Sequence, residues 1–154
     1  MKIMDFLNTE AVSANLKSTG KKEIIEELAD LLAKTGEIKN KSELVSILMS
    51  RETLGSTGIG QGIGIPHGKS RGVKKLIAAF GLSRQGVDFH SLDGELTYIF
   101  FLLVAPEESA GPHLKALARI SRLLKDKYFR DTLIKAASEK DIIKIIKSED
   151  SKRS

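Results

Sequence analysis

Apolar positions recur at helical spacing early in the chain. Ile24, Ile25, Leu28, Leu31 and Leu32 share one face of the segment Lys21 to Lys34, and Glu23, Glu26, Glu27 and Asp30 share the other. That pattern predicts an amphipathic helix. A second follows, where Asn40-x-x-Glu43 has the layout of a capping box and Leu44, Ile47 and Leu48 supply the apolar face. The period then changes. Lys75 to Leu82 (K-L-I-A-A-F-G-L) and Thr97 to Ala105 (T-Y-I-F-F-L-L-V-A) are short, apolar and bounded by turn residues, with Asp93-Gly94 just before the second, which predicts two buried strands. From Pro112 onward helical spacing returns, with Leu114, Leu117, Ala118, Ser121 and Leu124 as the inward stripe and Lys115, Arg119 and Arg122 outside it. Phe129 to Ala137 and Ser138 to Lys147 continue the helical end, the latter opened by Ser138-x-x-Asp141. Helices, then strands, then helices around one core predict an α/β fold: a single domain over residues 1–148, with a mixed β-sheet covered by helices on its faces. Glu149 to Ser154 read as a polar C-terminal tail, frayed at the end.

Composition narrows the chemistry. The chain has 154 residues, 41% hydrophobic and 29% charged, enough for one well-buried core. It has no cysteine, which excludes disulfides, iron–sulfur clusters, thiolate zinc sites and a cysteine nucleophile, and fits a cytoplasmic protein. Residues Met1 to Glu10 lack the pattern of a cleaved leader. The longest apolar run, Tyr98 to Pro106, falls well short of the ~20 residues that cross a bilayer, so no membrane insertion is expected. The net charge of +5 is uneven: residues 1–60 carry eight Lys and Arg against nine Asp and Glu, and residues 61–154 carry seventeen against eleven. A positive field over the later part suits phosphates or an acidic partner. Nucleic acid is disfavoured, since the eight aromatics include no Trp and no basic run is interleaved with Tyr or Phe.

Six of the thirteen glycines lie between Gly55 and Gly68, in a run ending Ile65-Pro66-His67-Gly68. Such density calls for tight turns or for close approach of the backbone to an anion. The dinucleotide fingerprint G-x-G-x-x-G fails, because Gly58, Gly60, Gly62 and Gly64 alternate. The nucleotide-binding P-loop also fails: Gly68-Lys69-Ser70 matches its end, but Ile63 stands where its first glycine must be, and Pro66 has no N–H to offer. A phosphohistidine site fits better. His67 would be the acceptor, presented from a backbone stiffened by Pro66, with Arg51, Lys69 and glycine N–H groups such as those of Gly62 and Gly68 as donors to the phosphoryl oxygens. His113 follows Gly111-Pro112, and proline favours the first helical position, so this imidazole should lie in the first turn of a helix. There it is either a second member of the site, kept neutral by the dipole, or a surface residue at a helix start. His90, in the polar loop Val87 to Asp93, reads as a surface residue. No two of the three histidines have zinc-ligand spacing, so neither a metal nor a cofactor is expected.

The stretch Arg51 to Lys69, R-E-T-L-G-S-T-G-I-G-Q-G-I-G-I-P-H-G-K, resembles the active-site signature of enzyme IIA domains of the bacterial sugar phosphotransferase system, in the fructose/mannitol/nitrogen-regulatory class. The resemblance continues through G-V-D-F-H-S-L-D-G, F-F-L-L-V-A-P-E and H-L-K-A-L-A-R-I-S-R-L-L, over nearly the whole chain. It implies that His67 is the phosphorylated histidine, carrying the group on Nε2. It also makes His113 the second active-site histidine and Arg51 the active-site arginine, with Gln61 lining the pocket. The implied donor is the phosphocarrier protein HPr or its nitrogen-branch equivalent. The implied recipient is a IIB domain in sugar uptake or a regulatory target protein; the loop reads closer to the nitrogen branch, and the chain contains neither a IIB nor a membrane domain. Two positions depart from the family's habit: Gly64 stands where alanine is usual, and Gln61 where Asn, Asp or Glu is common.

Overall fold

The computed structural model describes residues 1–153. A 3-10 turn at Ile3–Asp5 leads into β1 (Leu7–Ser13), followed by α1 (Lys21–Ala33) and α2 (Lys41–Glu52). The glycine-rich run then forms β2 (Gly58–Gly60), β3 (Ile63–Gly64) and β4 (His67–Ser70). Two long strands, β5 (Ile77–Val87) and β6 (Thr97–Pro106), are succeeded by α3 (Ala110–Leu124), α4 (Lys127–Ile134) and α5 (Glu139–Lys152). The strands make one six-stranded mixed sheet, in the order β1-β5-β6-β3-β2, with β4 also pairing β6. β5 and β6 are antiparallel; β1 runs parallel to β5, and β3 and β4 run parallel to β6.

β5 and β6 are apolar throughout their paired halves because both faces of the sheet are covered. Phe80, Phe101 and Leu103 pack under α3, α4 and α5, whereas Phe100, Leu102 and Val104 pack under α1 and α2. An edge-on aromatic pair marks each layer: Phe80 on Phe101 with centroids 4.9 Å apart, and Phe89 on Phe100 at 5.2 Å. The predicted α/β architecture is therefore the observed one. β5 runs on past Leu82 through Ser83, Arg84 and Gln85, polar residues that hid its second half, and its register with β6 shifts between Leu82 and Val87.

Three expectations are corrected. The inward face of α3 keeps Leu124 of the expected stripe and half-buries Leu117, but Leu114 is 67% exposed, and the other buried residues are His113, Ala116, Arg119, Ile120 and Leu123. The rotation brings two polar side chains inward, which hydrophobic periodicity could not anticipate. The helix also starts earlier than expected, at Ala110, so Pro112 is its third residue and the His113 N–H already bonds the Ser109 carbonyl at 3.1 Å. Residues Glu149 to Lys152, assigned to the tail, belong to α5, and Glu149 and Asp150 are buried; Ser154 lies outside the described residues. The reason is an ion pair. Asp150 Oδ1 accepts from Arg119 at 3.0 Å and from the Ile3 N–H at 3.1 Å, and its Oδ2 accepts from the Met4 N–H at 2.9 Å. The carboxylate thus ties the last helix to the first turn.

Candidate functional site

The glycine run folds as a hairpin and an interrupted strand. Gln61 and Gly62 join β2 to β3 with φ of 58° and 79°, positive at both positions as a two-residue type I′ turn requires. The Gln61 N–H donates to Asp93 Oδ2 at 2.9 Å, and the Gly62 carbonyl accepts from the N–H groups of Tyr98 and Ile99, both at 2.9 Å. β3 and β4 then share one register along β6: Ile63 lies opposite Ile99 and His67 opposite Leu103, the same four-residue step in both chains. The ladder is broken only at Ile65-Pro66, where proline has no donor. Ile63 and Ile65 face the α3 layer, so the alternation of a strand turns His67 to that side and Gly68 to the α2 side. A Cβ on Gly68 would come 2.8 Å from Ile47 Cγ2 of α2. Close helix packing accounts for this glycine. Gly68→Ala is expected to destabilise the fold by about 1–3 kcal/mol through overpacking, measured by urea denaturation.

His67 and His113 meet edge to face across the α3 interface, ring centroids 5.4 Å apart and planes at 72°. His67 Nδ1 lies 2.7 Å from the Ile65 carbonyl oxygen. A carbonyl can only accept, so Nδ1 carries the proton and Nε2 keeps its lone pair. Partial burial, with a further push from the Arg51 guanidinium, holds the His67 pKa below its ordinary value, although the Ile65 bond and Glu52 oppose the shift. The imidazole is therefore neutral and nucleophilic at pH 7. His113 is only 7% exposed, and burial, His67 and Lys69 depress its pKa to about 4. Its Nε2 is buried without a hydrogen-bond partner. A native protein rarely leaves such an atom alone unless something else comes to it.

The other candidates divide. Arg51, in the last turn of α2, donates from Nη1 to the Gly55 carbonyl at 2.9 Å and acts on the charge of His67. Lys69 is exposed, on the same strand face as His67, and bears electrostatically on His113. Gln61 and Gly62 sit at the hairpin tip, where their hydrogen bonds go to Asp93, Tyr98 and Ile99; among the described residues neither bonds a histidine. Turn geometry accounts for Gly62, and the glycine run is a hairpin rather than an open cradle of N–H groups. His90 is exposed, with φ of 52° in its loop. Two features escaped the sequence reading. One is the Glu52–Thr57 contact behind His67; the other is β1, whose burial pattern mixes polar and apolar positions without strict alternation.

Depressed histidine pKa values also act on stability. Between pH 6.5 and about 4 the unfolded chain binds a proton at residue 113 that the folded chain excludes, so stability falls as pH drops through that window and levels off below it. His113 supplies the larger part of this loss, and His67 adds in the same direction. Urea denaturation at pH 7.5 and pH 5 should register the loss, and His113→Gln should flatten the slope.

Comparison with known proteins places this arrangement. Residues 5–149 match the family described as phosphoenolpyruvate-dependent sugar phosphotransferase system, EIIA 2. The chain is 42% identical over 128 residues to a nitrogen regulatory protein of Bradyrhizobium diazoefficiens, covering 82% of each. It is 39% identical over 150 residues to the fructose-specific EIIABC component of Bacillus subtilis, covering 97% of this chain but 24% of that longer protein. Among solved structures it resembles the nitrogen regulatory protein IIA-Ntr of Neisseria meningitidis, with a TM-score of 0.87 at 32% identity over 94% of this chain and 98% of that one. No helix among the described residues is long and apolar enough to cross a membrane. The family match over residues 5–149 and the 42% identity over most of both chains agree, and the chain belongs to the phosphotransferase system EIIA type 2 family.

Proposed function

We propose that the protein is a phosphoryl carrier that accepts a phosphoryl group on Nε2 of His67 from the phosphohistidine of HPr or its nitrogen-branch equivalent. The observation that carries this reading is the tautomer: the Ile65 carbonyl holds the Nδ1 proton and leaves the Nε2 lone pair free. In the transfer, Nε2 attacks phosphorus in line, the new N–P bond forms as the donor's N–P bond breaks, and the donor imidazole leaves with the electron pair. His67 keeps its Nδ1 proton throughout. His113 Nε2, buried and unpartnered, donates to a phosphoryl oxygen when its proton sits there, and Arg51 and Lys69 supply positive charge. Positioning and electrostatics suffice, because the bond broken and the bond made are of the same kind. Exposed apolar side chains beside the site, Leu54 at 83% and Leu114 at 67%, suit docking of a protein donor.

Of the two uses this carrier could have, we favour the nitrogen-regulatory branch over transfer to a sugar-specific IIB domain. The likeness to nitrogen regulatory proteins spans most of both chains. Incubation with phosphoenolpyruvate, enzyme I and HPr or its nitrogen-branch equivalent should give a single phosphoryl adduct, with the Nε2 assignment read from ring ¹⁵N shifts. Transfer back to the carrier should be fast, and transfer to a purified fructose or mannitol IIB domain slow. Rapid transfer to such a IIB domain would overturn the regulatory reading, and an adduct on Nδ1 would overturn the mechanism.

A further inference from the structure

Behind the acceptor histidine lies a buried acidic network that the transfer chemistry does not itself use. Glu52, the last residue of α2, is 8% exposed and grips Thr57 with both carboxylate oxygens. Oε1 accepts the Thr57 N–H at 3.0 Å, and Oε2 accepts the Thr57 hydroxyl in a short contact. Lys21 Nζ, at the start of α1, neutralises the carboxylate from 2.8 Å and itself lies 4.8 Å from the centre of the Phe89 ring. From Thr57 the chain of bonds runs straight to the site. The Thr57 carbonyl accepts the Ile65 N–H at 3.0 Å, and the Ile65 carbonyl accepts His67 Nδ1–H at 2.7 Å. Pro66 follows, its φ fixed by the ring, and its carbonyl accepts the Leu103 N–H at 3.0 Å.

We propose that Glu52 is a positioning residue for His67: by clamping Thr57 it fixes the Ile65 peptide, whose carbonyl sets which ring nitrogen of His67 keeps the lone pair. The gap in the β3–β4 ladder makes such a clamp necessary. Between Gly64 and His67 only the Pro66 carbonyl still reaches β6, at the Leu103 N–H, and the Ile65 N–H turns the other way to the Thr57 carbonyl, so the Ile65 residue that orients the imidazole is held through Thr57. A free imidazole in water exchanges between tautomers. One carbonyl, kept still, biases it towards the form whose Nε2 can attack, as outer hydrogen bonds orient ligand histidines in metal sites. Glu52 touches no reacting atom; its charge also pulls the His67 pKa upward, but the tautomer is set through the backbone.

This inference rests on His67 being the phosphoryl acceptor, but its test reads the tautomer without phosphate. Ring ¹⁵N spectra of the unphosphorylated wild type should show His67 protonated on Nδ1. Thr57→Val removes only the hydroxyl bond, and Glu52→Gln removes the charge and weakens both bonds. In the folded variants a second population protonated on Nε2 should appear, larger for Glu52→Gln. Phosphoryl acceptance from phospho-HPr should fall by about tenfold. A folded Glu52→Gln protein with the wild-type tautomer and rate would overturn the proposal, as would a wild type protonated on Nε2. Collapse of the fold in both variants would assign the network to stability alone and overturn it as well. A shifted tautomer in a protein that accepts no phosphate even as wild type would instead sustain the positioning role and refute the carrier reading.

Discussion

With His67 replaced by alanine, incubation with phosphoenolpyruvate, enzyme I and HPr is expected to leave the protein unlabelled, while the wild type gains an acid-labile, base-stable adduct detectable by mass spectrometry. The loss should be complete, because no other nitrogen nucleophile shares the site's geometry. His113 is its nearest rival, but that ring is 7% exposed. His113→Ala should therefore still be labelled, about a hundredfold more slowly, since it removes a donor to the phosphoryl oxygens and leaves the attacking atom in place. Label surviving in His67→Ala would move the acceptor elsewhere; an unchanged rate and adduct lifetime in His113→Ala would deny that ring a part in the transfer.

Asp150→Ala is the second large effect, expected to destabilise the fold by about 3–5 kcal/mol, because it strands Arg119 in the interior. The Arg119 side chain is 5% exposed and its Nε already lacks a partner. The same substitution leaves the Ile3 and Met4 N–H groups unpaired. Replacing both ends of the pair, as Arg119→Met with Asp150→Leu, should recover part of the loss, since an apolar pair carries no buried charge. Urea denaturation of the three proteins reads these differences. A loss for Asp150→Ala of under about 1 kcal/mol, typical of surface pairs, would mean that water reaches the cluster.

The sequence made the helices, the two long strands and the histidine pair legible for distinct reasons. α1 carries clean amphipathic spacing, whereas α2, weakly amphipathic with Leu44 and Leu48 buried, is marked chiefly by Asn40, whose side chain accepts the Glu43 N–H at 3.0 Å. β5 and β6 are betrayed by continuous apolar runs, which only a doubly covered sheet requires. His67 stood out because Pro66 and the glycines surround it. The misses share a cause, namely polar residues in structural roles. Periodicity puts Arg119 on the outer face of α3 and Asp150 in the tail because it equates charge with exposure, yet each is buried by the other. Glu52 and Thr57 looked like the end of one helix and the start of a loop, and nothing in their spacing showed that they would meet behind a histidine. A dense glycine run reads as a ligand cradle, although a hairpin and a helix packed against Gly68 need glycines equally.

The shared register of β3 and β4 makes the span between them a counter of parity. His67 faces α3 and Gly68 faces α2 only because the number of residues from Ile63 onward keeps odd positions on one side. Adding or removing one residue within Ile65-Pro66 and absorbing it as a one-residue slip of β4 along β6 would turn the imidazole into the α2 layer, where even the Cβ of an alanine at Gly68 has no room. Two residues would return it to the same side but at a different height along α3, out of step with His113. At two residues the bridge lets β3 and β4 share one register while His67 stays beside His113, so a change in its length that shifts β4 along β6 also displaces the acceptor.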